Sequence, residues 1–161
     1  MAELLIVYHS RTGGSRQMAE AAAEAARGEA TVVLKPADRA GPEDLLRADG
    51  YIFCGPENLA AISGVMKDFF DRSYYPVLGR IEGRPYAIMV CAGSDGANAV
   101  RQMARIATGW RLKEVQPPLI VCTHAQTPEQ ILAEKTIPDE ELAQCRDIGL
   151  AMGAGLSMGL F

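Results

Sequence analysis

A loop near the N-terminus has the residue types of an anion-binding site: Ser10, Arg11, Thr12, Gly13, Gly14 and Ser15. It lies between an apolar run, residues 4–8, and an Ala-rich stretch that begins at residue 16. A loop between a buried strand and a helix start leaves backbone N–H groups and the positive helix end free to bind an anion. The three hydroxyls add donors, and the two glycines allow positive φ and a close approach. The loop predicts a phosphate site, with a plain turn and a solvated Arg11 as the alternatives.

Three well-known motifs do not fit this loop. It lacks the Gly-Lys-Ser/Thr ending of a Walker A loop and the Gly-x-Gly-x-x-Gly spacing of a dinucleotide site. It holds no cysteine, so it does not offer the nucleophile of a tyrosine phosphatase. We therefore interpret it as a site that binds a phosphate group.

Other side chains that could do chemistry stand near the ends of apolar runs. His9 and His124 could donate protons, although an isolated histidine is more often structural. Cys54, Cys91 and Cys122 could mark a site, although free cysteine is a common small core residue. We assign none of the five a catalytic role.

The elements that must position these residues alternate along the chain, which is typical of βαβ units. Strands are predicted at residues 3–8, 30–35, 51–54 and 85–92, with a last strand in 112–122 that is bent or begins at residue 119. Helices are predicted at 16–27, 42–46, 64–75, 97–108 and 140–156, with caps at Ser15 and Ser63 and an irregular or partly helical insert at 127–138. The pattern predicts an α/β fold with a three-layer, doubly wound, parallel five-stranded sheet in the order 2-1-3-4-5.

Ligands of such sheets bind at the carboxyl ends of the strands, beside the switch point between strands one and three. Three loops lie there, and they follow Tyr8, Cys54 and Ala92. We expect these loops to form the site together.

The composition limits the class of protein. With 161 residues, 48% hydrophobic and 22% charged, the chain fits one globular domain over residues 1–161. A net charge of -4 gives no concentrated basic face for nucleic acid, so small molecules are the expected partners. No apolar stretch reaches the roughly 18 residues of a membrane span. Four scattered cysteines argue against zinc and disulfides, which fits a cytoplasmic protein.

Three segments resemble flavin-binding proteins. The loop at residues 10–15 is similar to the flavodoxin FMN-phosphate loop, Ser/Thr-x-Thr-Gly-x-Thr/Ser. Pro56-Glu57 and the later Ser63-Gly64-Val65-Met66-Lys67-Asp68 resemble Pro-Glu-Tyr-Asn and Pro-Gly-Val-Leu-Lys-Asn of NAD(P)H-dependent FMN reductases. Phe70-Asp71-Arg72 is similar to a segment of flavodoxin-like quinone reductases. By this resemblance the chain is identified as flavodoxin-like and nearest to these reductases.

The resemblance implies one bound FMN, with its phosphate in the first loop and its isoalloxazine ring between the other two. One ring edge would be lined by Pro56, Glu57, Asn58, Leu59 and Ala60. The other would be lined by Ala92, Gly93, Ser94, Asp95 and Gly96. Asn58 and Leu59 stand where the reductases have tyrosine and asparagine, and neither loop has the aromatic residue that flavodoxins stack on the ring.

The implied function is an oxidoreductase that takes hydride from NADPH or NADH through FMN to a quinone or similar small acceptor. The cofactor carries such chemistry, so no acid–base pair is needed. A flavodoxin-type one-electron carrier is one alternative, and a flavin-free binding domain on the same fold is another. Related reductases complete the flavin pocket with a neighbouring subunit, so a homodimer or homotetramer is expected. Small residues between 149 and 159 would permit close helix approach, to the sheet or to a second subunit.

Overall fold

The computed structural model describes residues 1–161, in which seven strands and six helices follow one another along the chain. The strands are β1 (Glu3–Tyr8), β2 (Thr31–Pro36), β3 (Gly50–Asn58), β4 (Ala61–Ile62), β5 (Pro85–Ala92), β6 (Lys113–Glu114) and β7 (Leu119–Cys122). The helices are α1 (Gly14–Ala26), α2 (Pro42–Arg47), α3 (Gly64–Val77), α4 (Ala97–Gly109), α5 (Pro128–Leu132) and α6 (Asp139–Met158).

The main sheet is parallel and runs β2-β1-β3-β5, with β6 and β7 both beside β5. The predicted order is therefore confirmed, because β5 is the fourth predicted strand and β6 and β7 share the fifth position. Residues 115–118 separate the two short strands, and the prolines among them have no N–H to donate to β5.

Side chains alternate across the sheet and form two apolar layers. Leu5, Val7 and Phe53 face one layer, where the rings of Phe69, Phe70 and Trp110 are also buried. Leu4, Ile6 and Ile52 face the other layer, which contains α1 and α6. The sheet is thus covered on both faces, as a doubly wound fold requires. None of the helices combines the length and the apolar content that a membrane crossing requires.

Helix α6 packs against α1, and two of its glycines allow the two helices to approach closely. A Cβ atom on Gly149 would overlap the carbonyl group of Ala22, and one on Gly153 would lie 3.0 Å from the carbonyl oxygen of Ala26. Two of the small residues noted in the sequence therefore serve the contact with α1 of the same chain. This contact fixes α1, whose N-terminus follows the first loop.

Two predicted boundaries are wrong near the site. Ser15 lies inside α1 and does not cap it, because the helix begins at Gly14 after a left-handed Gly13. Strand β3 does not end at Gly55-Pro56 but continues to Asn58, because Glu57 and Asn58 pair with β4 in a short antiparallel hairpin. Residues 56–58 of the predicted second loop are therefore the last residues of β3. The cap at Ser63 is confirmed, since its Oγ accepts a hydrogen bond from the N–H of Met66 at 3.4 Å.

Candidate functional site

The three predicted loops meet around one cavity of about 440 Å³ at the carboxyl ends of β1, β3 and β5. Most of the predicted site residues line it: Ser10, Arg11, Thr12, Gly14, Ser15, Pro56, Glu57, Asn58, Leu59, Ala60, Ala92, Gly93 and Ser94. Gly13, Asp95 and Gly96 do not. The two glycines form the left-handed turns that precede α1 and α4, and Asp95 Oδ1 accepts a hydrogen bond from the N–H of Ala97.

The first loop is closed by a short-range hydrogen bond. Ser10 Oγ accepts from the N–H of Gly13 at 3.0 Å, and Gly13 has a φ of 94°. Helical hydrogen bonding starts with the N–H of Gln17, which donates to the Gly13 carbonyl at 3.1 Å. The N–H groups of residues 14–16 have no partner within the helix. They lie at the positive end of α1 and remain available to an anion.

Ser15 carries a buried hydroxyl with no partner. The residue is 2% exposed and lines the cavity, yet its Oγ makes no hydrogen bond. A buried hydroxyl without a partner costs roughly 1–3 kcal/mol, so folded proteins rarely keep one without a reason. A phosphate oxygen in the cavity would supply the missing partner. The first loop therefore fits the phosphate group that the resemblance implies.

Cys91 forms the wall behind this loop. A Cβ atom on Gly14 would lie 2.7 Å from Cys91 Sγ, so glycine lets α1 begin close against β5. Burial raises the pKa of the Cys91 thiol to about 11, against the opposing effect of the Lys135 charge. The thiol is thus neutral near pH 7 and offers no thiolate nucleophile. Cys91 is a packing residue that also borders the cavity.

The second loop is tied to the third by Glu57. Its Oε1 accepts from the N–H of Gly96 at 2.9 Å and its Oε2 from the N–H of Ala99 at 3.3 Å. Helix α4 has no cap from its own N-cap residue, because that residue is Gly96. The Glu57 carboxylate therefore caps α4 from a distant loop and lies favourably at its positive end.

The turn of the β3–β4 hairpin has an unusual backbone. Leu59 and Ala60 have φ values of 51° and 62°, a left-handed conformation that costs residues with a Cβ atom about 1–2 kcal/mol each. The amide of Asn98 donates to the Ala60 carbonyl, and Gln102 Oε1 accepts from the N–H of Ile62 at 2.8 Å. Helix α4 thereby holds the turn in place. The turn leaves the Leu59 side chain fully exposed at the cavity.

A fourth segment, after β7, completes the cavity and was missed by the sequence analysis. It contributes Thr123, Ala125, Gln126, Ile131, Leu132 and Lys135. The N–H groups of Thr123 and His124 donate to the carbonyls of Ala92 and Gly93, each at 2.8 Å, which holds this segment beside the third loop. The capping pattern Thr127-Pro128 to Gln130 signals helix α5, but no local signal indicates that the segment reaches the first loop.

The histidines and the other cysteines lie outside the cavity lining. His9 Nδ1 lies 2.7 Å from Ser63 Oγ, so it connects the end of β1 to the start of α3. Burial lowers the pKa of His9, with Asp38 raising it and Arg11 lowering it. Cys54 is fully buried, and burial raises the pKa of its thiol well above the ordinary value. His9 and Cys54 therefore contact the interior of the fold and not the cavity.

Comparison with known proteins decides the family. A sequence model of the NADPH-dependent FMN reductase family matches residues 39–127, more than half of the chain. The chain belongs to the NADPH-dependent FMN reductase family. This assignment confirms the resemblance drawn from the motifs and places the chain among FMN-binding oxidoreductases. The match includes the second and third loops of this family member but neither the first loop nor Lys135.

Individual relatives of this FMN reductase family member carry two kinds of name. It is 40% identical to a flavodoxin of Aquifex aeolicus, over 65% of this chain and 58% of that protein. It is 32% identical to an NAD(P)H dehydrogenase (quinone) of Acidithiobacillus ferrooxidans, over 45% of this chain and 48% of that protein. The chain thus matches about half the length of these curated relatives.

Solved structures agree on the fold. A flavodoxin, WrbA-like protein from Agrobacterium tumefaciens has a TM-score of 0.73 at 21% identity, covering 98% of this chain and 99% of that one. A likeness at this low identity shows the flavodoxin-like fold and no more.

Proposed function

We propose that this chain binds FMN in the cavity and transfers hydride from NADPH or NADH through the flavin to a quinone or similar small acceptor. One observation carries the proposal. The unpartnered Ser15 hydroxyl and the free N–H groups at the start of α1 form an anion site at one end of a cavity that two further loops border. Family membership supports the choice of FMN as the ligand.

In this proposal the first loop binds the phosphate through Ser10, Thr12, Ser15 and backbone N–H groups. The ring lies between residues 56–60 and residues 92–96, which Glu57 holds together. Exposed aliphatic side chains at the cavity, Leu59, Ile131 and Leu132, offer an apolar contact to a flat nicotinamide or quinone ring. Bound FMN would supply the hydride-accepting centre.

The side chains that line the cavity suit a site in which the cofactor carries the chemistry. Both oxygens of the Glu57 carboxylate accept backbone hydrogen bonds, and the Cys91 thiol is neutral near pH 7. Arg11 and Lys135 are cations. The lining therefore offers binding, orientation and charge but no paired acid and base, which hydride transfer through a flavin does not need.

Rapid mixing tests the proposal. The purified protein is loaded with FMN and mixed without oxygen with NADPH or with NADH. Fast bleaching of the flavin absorbance, followed by recovery on adding a quinone, is expected of a reductase. Bound FMN that neither nucleotide reduces would contradict the proposed hydride transfer. A protein that stays colourless with added FMN would instead be a flavin-free binding domain.

A flavodoxin-type one-electron carrier is the second candidate, and one observation favours it: the relative from Aquifex aeolicus, 40% identical, is named a flavodoxin. The same mixing experiment separates the two. A carrier binds FMN but accepts electrons only from a redox protein, so NADPH alone would leave its absorbance unchanged.

A homodimer or homotetramer that completes the cavity is part of the proposal. The loop at residues 58–60 and helix α5 border the cavity with exposed aliphatic side chains, which a neighbouring subunit would cover. Sedimentation at micromolar concentration should give a species at least twice the mass of the 17.3 kDa chain. A species at the mass of one chain would contradict this expectation.

A further inference from the structure

The segment that follows α5 is attached to the first loop by backbone hydrogen bonds. The N–H of Lys135 donates to the Thr12 carbonyl at 2.8 Å. The side chain of Gln17, in the first turns of α1, donates to the Lys135 carbonyl at 2.7 Å and accepts from the N–H of Ile137 at 2.9 Å. These contacts join residues more than a hundred positions apart, and they fix the backbone of Lys135 against the anion site.

The ammonium group of Lys135 is held by neutral oxygens. Its Nζ donates to the carbonyls of Ile131, at 2.9 Å, and Ala133, and it lies 3.4 Å from Thr12 Oγ1. It takes part in none of the six ion pairs of the protein. A cation lining the cavity therefore has no carboxylate that balances its charge.

We propose that Lys135 supplies the positive charge for a phosphate monoester dianion at the first loop, and so makes the site select FMN over riboflavin. This inference rests on the proposed function. A phosphate oxygen would accept a hydrogen bond from Lys135 Nζ, either in place of the 3.4 Å contact to Thr12 Oγ1 or together with it. The unpartnered Ser15 hydroxyl and the free N–H groups of α1 supply the neutral donors of the same site.

The other nearby cations are placed less favourably. Arg16 is exposed and pairs with Glu20 at 3.5 Å. Arg11 is exposed and makes no hydrogen bond that fixes its guanidinium, although it lines the cavity. A side chain that is already ordered loses less conformational entropy on binding than a free one. Lys135 is therefore the cation that the fold itself has positioned at this site.

A purely structural role for Lys135 predicts a different result. By donating to the Ile131 and Ala133 carbonyls, Lys135 could serve only to hold the end of α5. Losing that contact would disturb the segment and weaken FMN and riboflavin binding alike. Loss of a phosphate contact would weaken FMN binding alone, because riboflavin has no phosphate.

The experiment measures dissociation constants for FMN and riboflavin by fluorescence quenching, at low and high salt. Lys135→Met is compared with the unmodified protein and with Lys113→Met, which removes an exposed lysine beside Pro85, the first residue of β5 and so at the far end of that strand from the cavity. Lys135→Met should weaken FMN binding at least about tenfold and reduce its salt dependence, and it should change riboflavin binding less than about twofold. Lys113→Met should change neither. Lys135→Arg, which keeps the charge, should recover most of the FMN affinity.

Two outcomes would overturn the inference alone: FMN affinity that Lys135→Met leaves unchanged, or equal losses for both flavins. An unmodified protein that binds neither flavin would overturn the proposed function, and the inference with it. Should Lys135→Met fail to fold by circular dichroism, Lys135→Gln takes its place, since its side chain is neutral but keeps N–H donors. The same selective loss of FMN affinity is then expected.

Discussion

The two ends of the cavity are built in different ways. The proposed function assigns the FMN phosphate to residues 10–15, here called the phosphate end, and the flavin ring to residues 56–60 and 92–96, here called the ring end. At the phosphate end, Ser10 bonds to Gly13 three residues away, and glycines provide the left-handed turn and the close approach to β5. At the ring end, Glu57 reaches 39 residues along the chain to Gly96, and the turn uses Leu59 and Ala60 in a conformation that favours glycine.

This difference separates two ways of preparing a site. The phosphate end has donors in place and one hydroxyl without a partner, so a ligand relieves a cost that the fold already carries. At the other end, the Glu57 carboxylate and the Ala60 carbonyl already have partners within the protein, so the shape of this end depends on contacts between loops. Under the proposed function FMN would contact both ends and riboflavin the ring end only, so comparing the two ligands distinguishes effects at one end from effects at the other.

The largest expected effect comes from disturbing the contact between α6 and α1, the helix that begins at the first loop. Gly149→Ala places a methyl group against the Ala22 backbone and forces α6 away from α1. Overpacking against backbone is expected to lower the free energy of unfolding by about 3 kcal/mol or more. Urea denaturation measures it. The matched control, Gly64→Ala in α3, meets no atom within 4 Å and should be neutral or slightly stabilising. Similar values for the two variants would show that the α1–α6 contact yields easily.

Ser15→Ala should lower the affinity for FMN without lowering the stability of the protein. The variant removes the buried hydroxyl that has no partner, so the apoprotein should be as stable as the unmodified one or slightly more stable. FMN affinity should fall about 10- to 100-fold, because a hydrogen bond to a charged phosphate is lost. Riboflavin affinity should not change. Thermal unfolding and fluorescence titration measure the two effects, and a stability loss without an affinity loss would show that the hydroxyl serves the fold.

The fold around the first loop is predictable from the sequence because it is local. A strand, a hydroxyl- and glycine-rich loop and a helix start are adjacent in the chain, and the pattern of residues 3–26 contains them all. The main strands are also predictable, since β1 and β5 are apolar runs that turn residues follow. Only the cap was wrong, because Gly13 rather than Ser15 makes the turn into α1.

The rest depends on partners that are distant in sequence. Gly55-Pro56 signals a strand end, but pairing with β4 carries β3 on to Asn58. Lys135 lies in a polar stretch like many others, and its position beside the first loop depends on contacts with Thr12 and Gln17, 123 and 118 residues away. No local pattern reports such pairs, which is why the fourth segment of the cavity was missed.

At the ring end, Glu57→Ala should weaken binding of both flavins. The variant leaves the N–H groups of Gly96 and Ala99 without their acceptor and removes a negative charge from the start of α4. The expected cost in unfolding free energy is about 2 kcal/mol, with Glu57→Gln losing less because its carbonyl oxygen still accepts. The ratio of FMN to riboflavin affinity should stay constant. A selective loss of FMN affinity would place Glu57 at the phosphate end instead.

A smaller effect is expected from the strained turn. Ala60→Gly removes the Cβ atom at a φ of 62° and should raise the free energy of unfolding by about 1 kcal/mol. Ala61→Gly is the matched control in β4, where glycine should lower it by a few tenths to about 1 kcal/mol. Urea denaturation compares the two. If both variants lower the free energy of unfolding, the turn carries no strain.

The smallest effect concerns His9, which connects the end of β1 to the start of α3. Ser63 Oγ accepts from the N–H of Met66, so its hydroxyl proton is free to donate to His9 Nδ1, an arrangement that suits the neutral ring. Burial lowers the pKa of His9 below its ordinary value of 6.5, with Asp38 acting against burial and Arg11 with it. Below pH 6.5 the unfolded chain therefore binds more protons than the folded one, and stability falls as the pH drops through the lowered pKa.

His9→Gln removes this titration, so its unfolding free energy should change less between pH 7.5 and pH 5, both chosen about one unit or more from 6.5. If the curves of His9→Gln and the unmodified protein coincide, the contact with Ser63 does not depend on the charge of His9.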